Sequence, residues 1–146
     1  MIVIAARQLR QIVAAAEAAY PCEACGLLVG IDDRSVQEPA VVVQAVHESP
    51  NVADDPAHRF EVDPALRFRL FRELTPTGPR LVGLYHSHPD GNAEPSAHDL
   101  ACAFEPDLAW LVTSVVAGRA VATTAHVLVE DAAGRRFAPV TLQVAA

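Results

Sequence analysis

The chain contains no lysine; all eleven of its basic residues are arginine. That absence excludes Schiff-base catalysis, a P-loop lysine and kinase-type phosphate clamps, each of which needs an ε-ammonium group. Positive charge is scarce as a whole, with 11 basic against 18 acidic residues and a net charge of −7. Arginines scattered along an acidic chain offer no clustered field for nucleic acid or an anionic membrane surface, so neither partner is expected. Long apolar runs are also missing. Val41–Val43 and Leu108–Val112 fall far short of the about 20 residues that a bilayer span needs, and no transmembrane helix is expected. The N-terminal stretch Met1–Arg7 lacks the charged region and apolar core of a secretory signal, which leads us to expect a cytoplasmic protein. Cysteine is sparse and odd in number, three residues, a count that suits a reducing compartment better than a disulfide scaffold.

What is present reads as an ordinary globular domain: 146 residues, 51% hydrophobic and 20% charged. A single domain over residues 1–146 is the expectation. A chain of this length buries about two-thirds of its unfolded surface, so it needs no metal or disulfide merely to fold. Any metal it holds should therefore serve chemistry.

Apolar residues at Leu9, Ile12, Val13, Ala16 and Tyr20 recur with helical spacing over residues 7–20, and Pro21 should end that helix. Gly26–Gly30 reads as a buried strand, Asp32-Asp33 as a turn, and Val36–His47 as a second strand. Residues 49–57 are rich in turn formers and predict a loop, with a short strand at His58–Val62. Asp63 caps a second helix that begins at Pro64 and buries Leu66, Leu70, Phe71 and Leu74. Leu81–Tyr85 is a strand, and Pro89, Asp90 and Gly91 put His86 and His88 in the loop at its exit. Pro95-Ser96 opens a third helix, after which Leu108–Ser114, Arg119–Val129 and Arg135–Val144 read as strands. Helices interrupting a mixed sheet imply an α/β fold in which helices flank a mixed, curved β-sheet.

Two features carry chemistry. His86 and His88 lie two residues apart on an extended segment, so both imidazoles reach toward one side and can bind one ion. Pro89 and Gly91 turn the chain back, and Asp99 in the first turn of the third helix returns a carboxylate toward them. Two histidines and one carboxylate leave a tetrahedral zinc with an open position, the arrangement of a catalytic site. Ser96-x-x-Asp99 is also a capping box, a role that coexists with ligation. Hydrolysis at such a site needs a proton shuttle. Glu23, between the Pro21 break and the strand at residues 26–30, is either that group or a solvated loop residue, and its position does not decide.

Glu23-x-Cys25-Gly26, followed far downstream by His86-Ser87-His88-Pro89 and, after six residues, Ser96-x-x-Asp99, resembles the JAMM (MPN-plus, Mov34/PAD-1) metalloprotease motif. The resemblance spans essentially the whole chain, and the compact stand-alone prokaryotic members are the best match, Asn51 and Arg59–Pro64 included. It implies a JAMM/MPN, cytidine-deaminase-like architecture and one Zn²⁺ held by His86, His88 and Asp99. It implies further that Glu23 acts as acid and base, that Ser96 stabilises the oxyanion, and that the reaction is amide or isopeptide hydrolysis. The implied substrate is a ubiquitin-like or sulfur-carrier protein with a Gly-Gly tail, from which cysteine or another adduct is released. Self-association into a homodimer stays open. A lysine-free hydrolase would offer no side-chain amine to an activated carrier tail, although compositional bias is the preferred explanation of the missing lysines. Arg59, Arg67, Arg69 and Arg72 cluster where they could hold an acidic carrier face.

Other readings are weaker. Pro21-Cys22-x-x-Cys25 matches half of a zinc deaminase signature, but the histidine it requires does not precede it. As a redox pair it sits between a helix end and a strand, where no helix N-terminus lowers a thiol pKa. Cys22 and Cys25 are therefore read as small residues flanking Glu23, and Cys102 as core. A non-catalytic MPN scaffold would lack the ligands, which are all present. His47, His58, His98 and His126 lie outside the motif and are read as surface or core, with His98 placed to support its neighbour Asp99.

Overall fold

The computed structural model describes residues 1–35 and 37–146. Its elements run β1 (Ile2–Ala5), α1 (Ala6–Ala19), β2 (Cys25–Asp33), β3 (Ala40–Ser49), α2 (Pro64–Glu73), β4 (Arg80–Pro89), α3 (Ala97–Cys102), β5 (Ala109–Val116), β6 (Arg119–Asp131), β7 (Gly134–Val140) and β8 (Leu142–Ala145). Helix α1 forms on the expected stripe, burying Ile12 and Ala16, and ends at Ala19 ahead of Pro21, whose ring and missing N–H forbid another turn. Asp63 caps α2 by accepting from the Ala65 N–H at 3.0 Å, with Pro64 in the first helical position.

The strands form one mixed sheet in the order β7-β6-β5-β4-β2-β3-β1-β8. β1 runs parallel to β3 and β8, and β4 parallel to β5, while the remaining pairs are antiparallel. The two edge strands, β7 and β8, are separated in the chain by Thr141 alone. Val140 and Leu142 can lie no more than about 7 Å apart, so the sheet must curl until its first and last strands approach each other. Thr141 assists by accepting the Ile2 N–H at 2.8 Å.

Alternation along the strands splits the core between the two faces of the sheet. Ile2, Ile4, Ile12, Leu28, Tyr85 and Leu111 pack on the α1 face. Leu27, Val29, Leu66, Leu70, Leu84, Leu108 and Trp110 pack on the α2 face. At Gly26 a Cβ would collide with the Tyr85 ring and the His47 carbonyl oxygen, which is why the strand beside Tyr85 carries glycine there.

Several expectations need correction. β1, absent from the expected elements, carries only four residues before α1, too few for alternation to reveal. Asp32 and Asp33 lie inside β2 instead of forming a turn, because the strand continues outward to pair with Val41 and Ala40. The expected strand at Val36–His47 is β3, which begins at Ala40, and Val36 lies outside the described residues. His58–Val62 contributes only an isolated bridge between Asn51 and Val62. Arg135–Val144 is two strands, divided at Thr141 where the chain passes from one edge of the sheet to the other. Phe71 is 80% exposed and off the core face of α2. Cys102 is exposed at the end of a helix of six residues. Among the described residues, no helix is long and apolar enough to cross a membrane.

Candidate metal centre

The register of the central pair β2 and β4 builds the site. Cys25 stands opposite His86 in this antiparallel pair. The pairing continues one residue further, where the Ser87 N–H donates to the Ala24 carbonyl at 3.1 Å and the Ala24 N–H donates to Ser87 Oγ at 2.8 Å. The next position brings Glu23 across from His88. Since side chains two residues apart share a face, Glu23, His86 and His88 all project to the α2 side. One ligand atom from each lies within 4.8 Å of the others. The two histidines are thus part of β4 and not of a loop; Pro89 ends the strand, where a missing N–H is tolerated.

Between His88 and Ser96 the chain makes a turn tied down at several points. Asp90 takes a left-handed conformation with φ 55°. Its carboxylate accepts from Tyr20 OH at 2.7 Å and from the Ala117 N–H at 2.9 Å. Ser114 Oγ donates to the Gly91 carbonyl and Thr124 Oγ1 to the Ala93 carbonyl. Asn92, between those two anchors, presents its carbonyl to His88 Nδ1 at 2.8 Å. A carbonyl only accepts, so Nδ1 carries the proton, and the Nε2 of neutral His88 is left as a bare lone pair.

The same turn delivers α3. Ser96 Oγ accepts the Asp99 N–H at 3.0 Å, and Asp99 Oδ2 accepts the Ser96 N–H at 2.8 Å, which completes the capping box. Asp99 Oδ2 also stands 3.0 Å from His86 Nε2 and 3.1 Å from His88 Nε2, and the two Nε2 atoms are 3.0 Å apart. Three donor atoms at these separations lie close to the about 3.3 Å edge of a tetrahedron drawn around zinc with ordinary bond lengths. The donor set, two imidazoles and a carboxylate, and this triangle fit a divalent metal such as zinc.

Electrostatics follow from burial. Glu23 is 5% exposed, and loss of water pushes its carboxyl up to about 7. Burial lowers His86, overriding its hydrogen bond to Asp99. For His88 burial acts downward as well, but hydrogen bonds to Asp99 and Asn92 more than offset it, and the group is raised. Burial acts upward on Asp99, yet the bonds from both histidines hold it well below the usual carboxylate range. Without an ion, the contact between the two groups thus favours protonated His88 beside ionised Asp99.

The structure brings together Glu23, His86, His88 and Asp99, with exposed Ser96 at the head of α3. It does not bring the other residues of interest to the site. His98 faces Cys102 at 3.5 Å and, among the described residues, makes no side-chain hydrogen bond to Asp99. Cys25 is buried against the carbonyls of Ser49, Pro50 and Glu61, and its thiol is pushed up to about 11, which leaves it inert. Two of the four arginines are already paired, Arg67 with Glu105 and Arg69 with Glu73, and Arg72 lies over the Phe68 ring. Two contributors, Ser87 and the Asn92 main chain, go unread in the sequence, and a third, Asn51, is singled out only by the family resemblance and without a role. Ser87 joins β4 to the residue after Glu23, a role detectable from its place between two histidines of one face. Asn51 donates to the Glu23 and Arg59 carbonyls and accepts from the Glu61 N–H. The Asn92 main chain, which orients His88, leaves no side-chain signal.

Comparison with known proteins identifies the family. The family model described as prokaryotic homologues of the JAB domain matches residues 5–128. A desampylase from Haloferax volcanii is 36% identical over 94 residues, 64% of this chain and 63% of the relative, so the match spans less than two-thirds of that protein's length. A CysO-cysteine peptidase from Mycobacterium tuberculosis is 28% identical over 114 residues, 78% of this chain and 73% of the relative. The solution structure of a protein from Desulfitobacterium hafniense superposes with a TM-score of 0.76 at 29% identity, covering 99% of this chain and 94% of the other. A curled mixed sheet, a donor triangle at the end of its central strand and a family match over most of the length have one reading: the chain belongs to the prokaryotic JAB-domain family.

Proposed function

We propose that this single-domain chain is a zinc-dependent peptidase or isopeptidase that cleaves an amide bond at the C-terminal Gly-Gly tail of a ubiquitin-like or sulfur-carrier protein. The observation that carries the reading is the triangle of His86 Nε2, His88 Nε2 and Asp99 Oδ2, with every edge between 3.0 and 3.1 Å, beside the buried Glu23 carboxyl. The names of the desampylase and the CysO-cysteine peptidase support the substrate class. His86, His88 and Asp99 would hold the ion. When bound, zinc would polarise the scissile carbonyl and make a water nucleophilic at neutral pH. Glu23 takes the proton of the attacking water on a carboxylate oxygen and returns it to the leaving amine nitrogen. Ser96 Oγ accepts from the Asp99 N–H, so its own O–H remains free to donate to the oxygen on which negative charge develops.

The test is to incubate the zinc-loaded protein with carriers that end in Gly-Gly followed by cysteine or by an isopeptide-linked lysine, and to follow carrier mass. Loss of the appended group, abolished by chelation, is the expected result. A protein that holds zinc and cleaves neither carrier would be a scaffold and not a hydrolase. Ser96→Ala should slow cleavage by on the order of 10²-fold with zinc retained, the usual effect of losing one oxyanion donor. A change in melting temperature alone, with the rate intact, would confine Ser96 to capping.

A further inference from the structure

Metal-binding histidines generally donate their second ring N–H to a fixed acceptor, which sets the plane of the ring. His88 does so through Asn92. His86 does not: it is fully buried, and its Nδ1 meets no hydrogen-bond partner among the described residues. Its ring is held by aromatic faces instead. The Phe60 ring stacks on it with centroids 4.3 Å apart and planes 20° from parallel, and Trp110 meets it edge-on at 5.6 Å and 89°. Phe60 and Trp110 also touch each other at 5.8 Å, and Phe137 backs Trp110 at 5.1 Å.

Phe60 comes from the loop between β3 and α2, where no regular element fixes it. Asn51 supplies the rigidity. Its Nδ2 donates to the carbonyl of Arg59 and its Oδ1 accepts the N–H of Glu61, so both neighbours of Phe60 are gripped by one side chain. The same Nδ2 donates to the Glu23 carbonyl at 3.0 Å. One asparagine thus ties the backbone of the proposed proton shuttle to the residue that packs on the first proposed ligand.

On the metal-site reading given above, we infer that Phe60 is a positioning residue. Held by Asn51, it sets the plane of the His86 imidazole by stacking, in place of the hydrogen bond that Nδ1 lacks. The stack also strengthens as the ion binds. An imidazole bonded to a dication carries part of its charge, and the electron-rich face of Phe60 lies well inside the about 6 Å range of cation–π attraction. An aliphatic side chain fills the space without supplying that field.

The experiment titrates wild type, Phe60→Leu, Phe60→Met and Phe60→Tyr with Zn²⁺ and Co²⁺ against a chromophoric chelator, and records the visible bands of the Co²⁺ forms. Leu and Met should weaken metal binding by about 10- to 100-fold, the usual cost of losing a group that orients a ligand, and should shift the Co²⁺ bands. Tyr, which keeps the ring, should restore both. Leu70→Ala, a truncation in the same buried cluster, should lower the melting temperature and leave metal affinity unchanged. Aliphatic variants with wild-type affinity and bands would overturn the inference while leaving the metal site intact. So would an equal loss of affinity in Leu70→Ala, since any softening of the core would then suffice. A wild-type protein that binds neither ion would instead overturn the metal-site reading itself.

Discussion

Glu23→Gln should keep its full complement of zinc and lose turnover by about 10²- to 10⁴-fold, the usual contribution of a positioned acid–base group. Glutamine matches glutamate in shape and volume, so the substitution removes the ability to take a proton and little else. The backbone at this position is anchored independently of the side chain. The Glu23 N–H donates to the Pro56 carbonyl at 2.8 Å, and the Glu23 carbonyl accepts from Asn51. Burial raises the carboxyl to about 7, which suits a group that must both accept and surrender a proton near neutrality. Metal content by elemental analysis and cleavage rate on the same preparation decide the matter. Retained turnover would remove Glu23 from the mechanism. Loss of zinc would make it a ligand, a role less suited to it than to Asp99, whose Oδ2 lies within 3.1 Å of both histidines.

The contrast between Glu23 and Phe60 shows what a sequence makes legible. Glu23, His86, His88, Ser96 and Asp99 stand out because strand register and a short turn relate them: two-residue periodicity aligns the histidines, and a capping box announces the helix that carries Asp99. The convergence of His86, His88, Ser96 and Asp99 is encoded locally, within one strand and the turn that follows it, whereas Glu23 arrives through the long-range pairing of β2 with β4 and is singled out only by the family resemblance. β1 and β8 were not legible because each is only four residues long and pairs across the whole length of the chain. The histidines read as loop because Pro89 is a strand breaker in isolation, whereas here the neighbouring β5 carries the ladder onward to Val115. Phe71 fits the helical stripe of α2 but faces outward, since the sheet covers only a narrow strip of a helix of ten residues. Asn51 lies in a stretch that reads as loop and Phe60 in one that reads as a short strand, and their roles depend on contacts that no periodicity encodes.

Asp99→Asn should abolish zinc binding and cleavage together while leaving α3 folded. The two duties of Asp99 are separable by chemistry. As part of the helix cap it needs a backbone N–H that donates to Ser96 Oγ and a side-chain oxygen that accepts the Ser96 N–H, and asparagine supplies both. As a ligand it needs a negative charge facing His86 Nε2 and His88 Nε2, which an amide cannot provide. The loss of affinity should therefore exceed the about 10- to 100-fold that removal of a merely orienting group costs. Zinc should raise the melting temperature of the wild type by binding only the folded state and should leave that of the variant unmoved, with unchanged far-ultraviolet circular dichroism as the control for α3. Stoichiometric zinc in the variant would exclude Asp99 as a ligand. The contact between His88 and Asp99 gives a second signature. His88 is raised and Asp99 lowered by their contact, so protons compete with the ion for His88, and wild-type affinity should fall as the solution is acidified. A wild-type affinity that did not change on acidification would mean that His88 and Asp99 do not bind the ion together.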